Sequence, residues 1–197
     1  MRVCAVIVAG GRSSRMGREK ALELLRGRTV IDWIITRLSV QTDAIVLNAN
    51  GDAGRFARLG LSIINDLRGD IGTPLAGLHA ALVFAKNNGF DAVLTAPSDA
   101  PFLPADLLQK LLASDREAAI AASAGQSHYL TGLWSPALLP AIEDAVQQSR
   151  TPRLQDWCRT CSAAIVEWTT MPYDPFFNIN TPEELAEAER IAAVFNP

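Results

Sequence analysis

Val3-Cys4-Ala5-Val6-Ile7-Val8-Ala9-Gly10-Gly11-Arg12-Ser13-Ser14-Arg15-Met16-Gly17-Arg18-Glu19-Lys20 is the stretch on which the fold assignment turns. Val3 to Ala9 is an unbroken, β-branched apolar run, the pattern of a strand buried on both faces inside a parallel sheet. The run ends in Ala9-Gly10-Gly11, where glycine backbone can turn with φ > 0 and bring its N–H groups close to an anion. Arg12, Ser13, Ser14, Arg15 and Lys20 follow at once. A cationic, glycine-rich turn at the carboxyl end of a central strand is suited to phosphates.

Two common phosphate motifs do not fit. The dinucleotide fingerprint G-x-G-x-x-G fails because Gly10 and Gly11 are adjacent, and a Walker A loop fails because Arg18-Glu19 follows Gly17. Composition narrows the class further. The chain has 197 residues, is 49% hydrophobic and carries a net charge of −3, so its positive charge is gathered locally. That argues against non-specific nucleic-acid binding and for a local anion site. Three cysteines do not make a disulfide framework, which points to a reducing compartment. No stretch has transmembrane length, and the apolar opening lacks a cleavage site, so the expected location is the cytoplasm.

Apolar strands then alternate with amphipathic helices, the signature of an α/β domain. Thr29 is expected to start a helix with Val30, Ile31, Trp33, Ile34, Ile35 and Leu38 on its buried stripe. Strands are expected at Ala44–Leu47, Leu61–Ile64, Ala92–Ala96 and Ala118–Ala122. Helices are expected at Leu75–Lys86 and Ala137–Gln148, with a short one at Arg55–Leu59. Ser127 to Trp134 reads as an antiparallel strand added at the sheet edge. The whole is expected to be one domain, 1–197.

Asn48, Asp66 and Asp99 fall at the carboxyl ends of these strands, the rim where open parallel sheets bind ligands. Pro97 and Pro101 brace Asp99. A rigid carboxylate there suits Mg²⁺, which takes one or two carboxylates and completes its shell with phosphate and water. The same residue could equally cap the helix near Pro104. Asn178 and Asn180, two apart on an extended stretch, share one face. Thr181-Pro182-Glu183-Glu184 has the spacing of a capping box. Arg150 and Arg153 lie in a basic loop that reads first as a solvated helix–helix connector and second as a binding loop. Cys158-Arg159-Thr160-Cys161 lacks a second pair for zinc and a preceding strand for a redox motif. His79 reads as a packed helix residue, His128 is open, and the four tryptophans read as core or groove wall.

The loop pattern A-G-G-x-S-x-R-M-G followed by a lysine resembles the signature of the nucleotidyltransferases, and most closely that of the molybdenum cofactor guanylyltransferases. Pro97-Ser98-Asp99-Ala100-Pro101-Phe102-Leu103-Pro104 is similar to the family's Pro-Cys-Asp-x-Pro motif. Asn48-Ala49-Asn50, Asn65-Asp66 and Gly72-Thr73-Pro74-Leu75-Ala76-Gly77 are similar to its guanine-nucleotide segments. Phe177-Asn178-Ile179-Asn180-Thr181-Pro182-Glu183-Glu184-Leu185 resembles its Asn-x-Asn-Thr-Pro-Glu-Glu-Leu signature. Two positions depart from the pattern: the loop is one residue shorter, with Glu19 in place of Asp, and Ser98 replaces Cys.

This resemblance implies a Rossmann-like, three-layer fold with a mostly parallel sheet and one antiparallel strand. Residues 1–110 would bind nucleotide and 111–197 the acceptor. The implied reaction is transfer of GMP from GTP to molybdopterin-bound molybdenum cofactor, with Mg²⁺ as cofactor. Catalysis would rest on Arg15, Lys20 and Asp99, with Asp99 holding the metal. Val8, Ala9, Gly10, Gly11, Lys20, Asn48, Asp66, Pro74, Leu75 and Asp99 would bind the nucleotide, and Asn178, Asn180, Arg150 and Arg153 the acceptor. A GTP-binding accessory protein and molybdoenzyme apoproteins are the implied partners. The alternatives are a cytidylyltransferase of the same cofactor, a sugar-phosphate nucleotidyltransferase, and a non-catalytic nucleotide-binding homologue.

Overall fold

The computed structural model describes residues 1–9, 20–67, 73–148 and 152–195. Its centre is β1 (Val3–Val8), buried at every position. β1 pairs in parallel with β4 (Ala44–Asn48) on one side and β6 (Ala92–Pro97) on the other. Both faces are therefore covered, which is why the run is apolar without alternation. Beyond β4 lies β5 (Ser62–Ile64), and beyond β6 lie β8 (Gln126–Trp134), β7 (Ala118–Ser123) and β9 (Ala164–Trp168). The sheet order is β5-β4-β1-β6-β8-β7-β9. A small hairpin, β2 (Leu24–Leu25) with β3 (Arg28–Thr29), stands apart and turns at Arg26 and Gly27, both at positive φ.

β8 is the antiparallel member, as expected, but not at an edge. It sits between β6 and β7, with Val93 opposite Trp134 and Ala119 opposite Leu133. What holds it inside is chemistry unreadable from alternation. The Trp134 indole N–H donates to Thr95 Oγ1 (2.7 Å), and the Thr95 hydroxyl donates to Gly132 O (3.3 Å). A Cβ at Gly132 would lie 2.7 Å from Ala119 O and 2.8 Å from the Trp134 ring, so a larger residue would force the strands apart. The edge is instead β9, whose exposed Ile165 and Glu167 alternate with more buried neighbours.

Helices cover both faces. α1 (Val30–Ser39), α3 (Leu107–Leu112) and α6 (Pro182–Phe195) pack against the face carrying Val3, Ala5 and Ile7. α2 (Pro74–Asn87), α4 (Leu139–Gln147) and α5 (Leu154–Thr160) cover the face carrying Cys4, Val6 and Val8. The helix expected at Ala137–Gln148 is α4 preceded by a 3-10 turn at Pro136–Leu138. Cys158 belongs to the second core, and burial pushes its thiol and that of Cys4 up to about 12. All three cysteines are free. Trp33, Trp134, Trp157 and Trp168 are all buried. No helix of the described residues is long and apolar enough to cross a membrane.

The start of α1 shows how a local signal becomes tertiary structure. Thr29 N–H donates to Asp32 Oδ2 (3.3 Å), closing the helix N-terminus, and Arg58 from the 3-10 helix Ala53–Leu59 donates to Thr29 Oγ1 and Asp32 Oδ2. Burial pushes the Asp32 carboxyl up, but the bonds from Thr29 and Arg58 outweigh it and hold the group below the usual range. Its stabilising effect is present above the unfolded carboxylate pKa and is lost as pH falls through the folded value. Asp32→Ala is expected to cost about 1 kcal/mol in urea unfolding at pH 7. That difference should shrink in acid; a constant difference down to pH about 3 would contradict it.

Candidate active site

Parallel pairing sets the geometry of the rim. Val8 is level with Asn48 on one side and Pro97 on the other, and Asn48 is level with Ile64. The chain leaves all four strands at one height, so the polar residues just beyond them converge. Ala9 N–H donates to Asn48 O (2.8 Å), and Ala49 N–H to Ile64 O (3.0 Å).

One half of the rim is an asparagine–aspartate cluster. Asn48 is fully buried, and its Nδ2 donates to Ile64 O (3.3 Å) and Asp66 Oδ1 (3.0 Å). Asn50 Nδ2 donates to Asp66 Oδ2 (2.7 Å), while Asp66 N–H donates to Asn50 Oδ1 (2.9 Å). α2 begins beside this cluster, with Thr73 as N-cap and Pro74 in its first turn. A Cβ at Gly77 would lie 2.7 Å from Asn48 Oδ1 and 3.0 Å from Val8 Cγ1, so this glycine lets the helix approach the strand tips. Asn48 Oδ1, Thr73 Oγ1 and His79 Nε2 are buried with no partner among the described residues. Burial lowers the His79 pKa, with Glu143 and Asp66 opposing the shift, and the side chain is packed in the interior.

The other half joins opposite ends of the chain. Lys20 Nζ donates to Asn180 Oδ1 (2.9 Å), and Ile179 N–H donates to the Asp99 backbone carbonyl (2.9 Å). Asn178 and Asn180 are exposed while Ile179 between them is buried, so both amides leave the same side of the segment. The segment is anchored by the capping box of α6. Glu184 N–H donates to Thr181 Oγ1 (3.2 Å), and Glu184 Oε2 accepts from the backbone N–H groups of Thr181 (2.9 Å) and Asn180 (2.6 Å). Half-buried Asp99 has its carboxyl pushed above the usual range by burial, with the Lys20 charge opposing and Glu184 adding to the shift. A cation beside it would favour the ionised form. No cluster of three or more ligating side chains occurs among the described residues. A lone carboxylate of this kind suits Mg²⁺, which fills its remaining positions with phosphate and water, rather than a metal in an all-protein cage.

Gly10, Gly11 and Arg15 lie outside the described residues, as does Arg150. Arg153 is exposed at the N-cap of α5, whose buried side belongs to the second core, and among the described residues it makes no hydrogen bond or ion pair with Asn178, Asn180 or Asp99. Val8, Ala9, Asn48, Asp66, Pro74 and Leu75 gather at one end of the rim, and Lys20, Asp99 and Asn180 meet near its centre. Asn50 is a further member, visible in the sequence as part of Asn48-Ala49-Asn50. Asp99 does not cap a helix; α3 begins later, with Asp106 as its N-cap.

Known proteins share this architecture. Residues 5–164 match the family model described as the MobA-like NTP transferase domain. The chain is 42% identical over 196 residues to a molybdenum cofactor guanylyltransferase from Nitrobacter hamburgensis, covering 96% of this chain and 94% of that one. It is also 42% identical over 192 residues to the enzyme of that name from Rhodobacter capsulatus, covering 96% of each. Molybdopterin-guanine dinucleotide biosynthesis protein A from Archaeoglobus fulgidus superposes with a TM-score of 0.73 at 25% identity, over 97% of this chain and 98% of that one. A 4-diphosphocytidyl-2C-methyl-D-erythritol synthase from Anaerococcus prevotii shares the fold, with a TM-score of 0.74 at 16% identity over 98% and 96% of the two chains. A rim built from strand-end carboxylates and asparagines, matched along nearly the whole chain, makes this protein a nucleotidyltransferase that belongs to the molybdenum cofactor guanylyltransferase family.

Proposed function

We infer that the chain transfers GMP from GTP to the phosphate of molybdopterin-bound molybdenum cofactor, forming the guanine dinucleotide and releasing pyrophosphate. The observation that carries this is the Lys20–Asn180 contact beside Asp99, because it joins the phosphate loop to the acceptor segment at one point. The guanylyltransferase names of full-length relatives support the choice of nucleotide.

In this reading an oxygen of the acceptor phosphate attacks the α-phosphorus, and the bond to the bridging oxygen of pyrophosphate breaks. The nucleophile is already ionised, so no general base is needed, and catalysis consists of positioning and charge compensation. Lys20 places its ammonium against the developing charge, Arg15 adds a second cation, and, with the Ala9 N–H already given to Asn48 O, the backbone N–H groups of Gly10 and Gly11 receive the triphosphate. Asp99 would hold Mg²⁺, which when bound supplies Lewis-acid charge to phosphate oxygens. Asn48 and Asp66 offer acceptors at the nucleoside end, matching the N–H donors on the pairing edge of guanine. Val8, Pro74 and Leu75 wall that end. Asn178, Asn180, Arg150 and Arg153 serve the acceptor, so residues 1–110 and 111–197 divide the two substrates within one domain. The free cysteines fit a cytoplasmic location.

Pyrophosphate release should require GTP, molybdopterin cofactor and Mg²⁺ together, and CTP or UTP should give little. Equal release with CTP would overturn the choice of base. Gly77→Ala tests the nucleoside end. Asn48 is locked by Ile64 and Asp66 and cannot yield to the new methyl. The GTP Kd is expected to rise about tenfold, or about 1.4 kcal/mol, in calorimetry. An unchanged Kd would remove Asn48 from the nucleotide site.

A further inference from the structure

At the other end of the rim, Ser123 closes β7, His128 lies near the start of β8, and Asp174 follows β9. Ser123 Oγ donates to Asp174 Oδ1 (2.9 Å) and lies 2.7 Å from His128 Nε2. A serine hydroxyl has one proton, and Asp174 takes it. The contact with His128 is therefore an Nε2–H donating to Ser123, which leaves Nδ1 as a lone-pair acceptor. Among the described residues Nδ1 has no partner. Burial lowers the His128 pKa against the opposing charges of Asp174 and Glu167, which agrees with a neutral ring.

The ring is fixed in orientation as well as in tautomer. Phe176 packs against it with centroids 4.7 Å apart, and Trp168 meets Phe176 edge-on at 5.4 Å. Asp174 Oδ1 also accepts Phe176 N–H (2.9 Å), so one carboxylate holds both the serine and the segment that runs on to Asn178 and Asn180. The pairing of β7 with β8 shifts register here. Ile120 faces Gly132 but Ala121 faces His128, so Tyr129, Leu130 and Thr131 are left unmatched on β7. Bulges of this kind re-aim side chains beside active sites. Strand order places the group: β8 and β7 lie on the far side of β6, which leads into Asp99, from β4 and β5, which lead to Asn48 and Asp66. His128 packs on Phe176, two residues before Asn178, and so borders the acceptor segment on the side of β6 away from the nucleoside end.

We propose that His128 is an acceptor-binding residue whose Nδ1 takes an N–H donor of the pterin ring, with Ser123 and Asp174 as positioning residues. The proposal rests on the transferase reading and adds a specificity contact to it. A rigid acceptor built for an N–H group discriminates against a ring that lacks the donor, because the site's own polar atom is then left unpaired.

The test is His128→Gln, whose amide N–H keeps the bond to Ser123 while removing the Nδ1 acceptor, alongside His128→Ala. With the full chain, both are expected to raise the KM for molybdopterin cofactor about tenfold, leaving the KM for GTP and the saturated kcat unchanged. Binding of molybdopterin followed by pterin fluorescence, without GTP, should weaken by the same factor. Ser123→Ala should give a smaller rise in the same KM. Transfer intact with a molybdopterin KM that neither His128 variant moves, or one that rises only together with the GTP KM, overturns the proposal alone. Pterin binding that depends on His128 in a chain unable to transfer GMP would sink the transferase reading and uphold this contact. No pterin binding by the wild-type chain would sink both.

Discussion

Asp99→Asn is expected to lower GMP transfer by about a hundred- to a thousandfold while leaving the fold intact. The side chain is what changes; the link to the acceptor segment runs through the Asp99 backbone carbonyl, which the variant keeps. The same substitution should raise the melting temperature of chelator-treated protein at neutral pH. Burial pushes the Asp99 carboxyl above its ordinary range, so its ionised form is disfavoured in the fold. Stability associated with such a group is fully present below the unfolded pKa and is lost as pH rises through the folded one. The gain from asparagine should therefore vanish below pH about 4, where the unfolded carboxylate is protonated. Function and stability thus pull in opposite directions at this residue, as they do where a site is built to receive a cation. Near-normal turnover, or a lower melting temperature at pH 7, would contradict the assignment.

Lys20→Ala is the second large effect, with kcat expected to fall about a hundred- to a thousandfold. Lys20→Arg should recover a part, since a guanidinium keeps the charge but not the compact geometry of an ammonium. Asn180→Ala separates charge from placement. It leaves the lysine in place and removes the 2.9 Å bond that aims it, so its loss should be smaller and should appear with both substrates. Equal losses for Asn180→Ala and Lys20→Ala would mean that the contact of Asn180 with the acceptor counts for as much as the charge of Lys20.

The parallel core was legible because strands buried on both faces leave an unmistakable apolar run, as Val3–Val8 and Ala92–Pro97 do. β9 is not legible, for the opposite reason. As an edge strand with Ile165 and Glu167 exposed, it carries too little apolar signal over its five residues. α5 is seven residues long, so its buried stripe is only Leu154, Trp157 and Cys158, too short a run to stand out as a helical period. The interior place of β8 could not be read at all, because it depends on Trp134, Thr95 and Gly132 fitting one another across separate strands.

The amino-acid sequence alone determined the class of fold, the capping of α1 and α6, and the residues set at strand ends, because each depends on neighbours a few positions away. Tertiary structure decided which of those ends meet. Lys20 finds Asn180 across 160 positions, Ser123 finds Asp174 across 51, and these two residues together fix the tautomer of His128. A hydrogen bond is made or missed within a few tenths of an ångström. At such separations in the chain, only the packed sheet can set that distance.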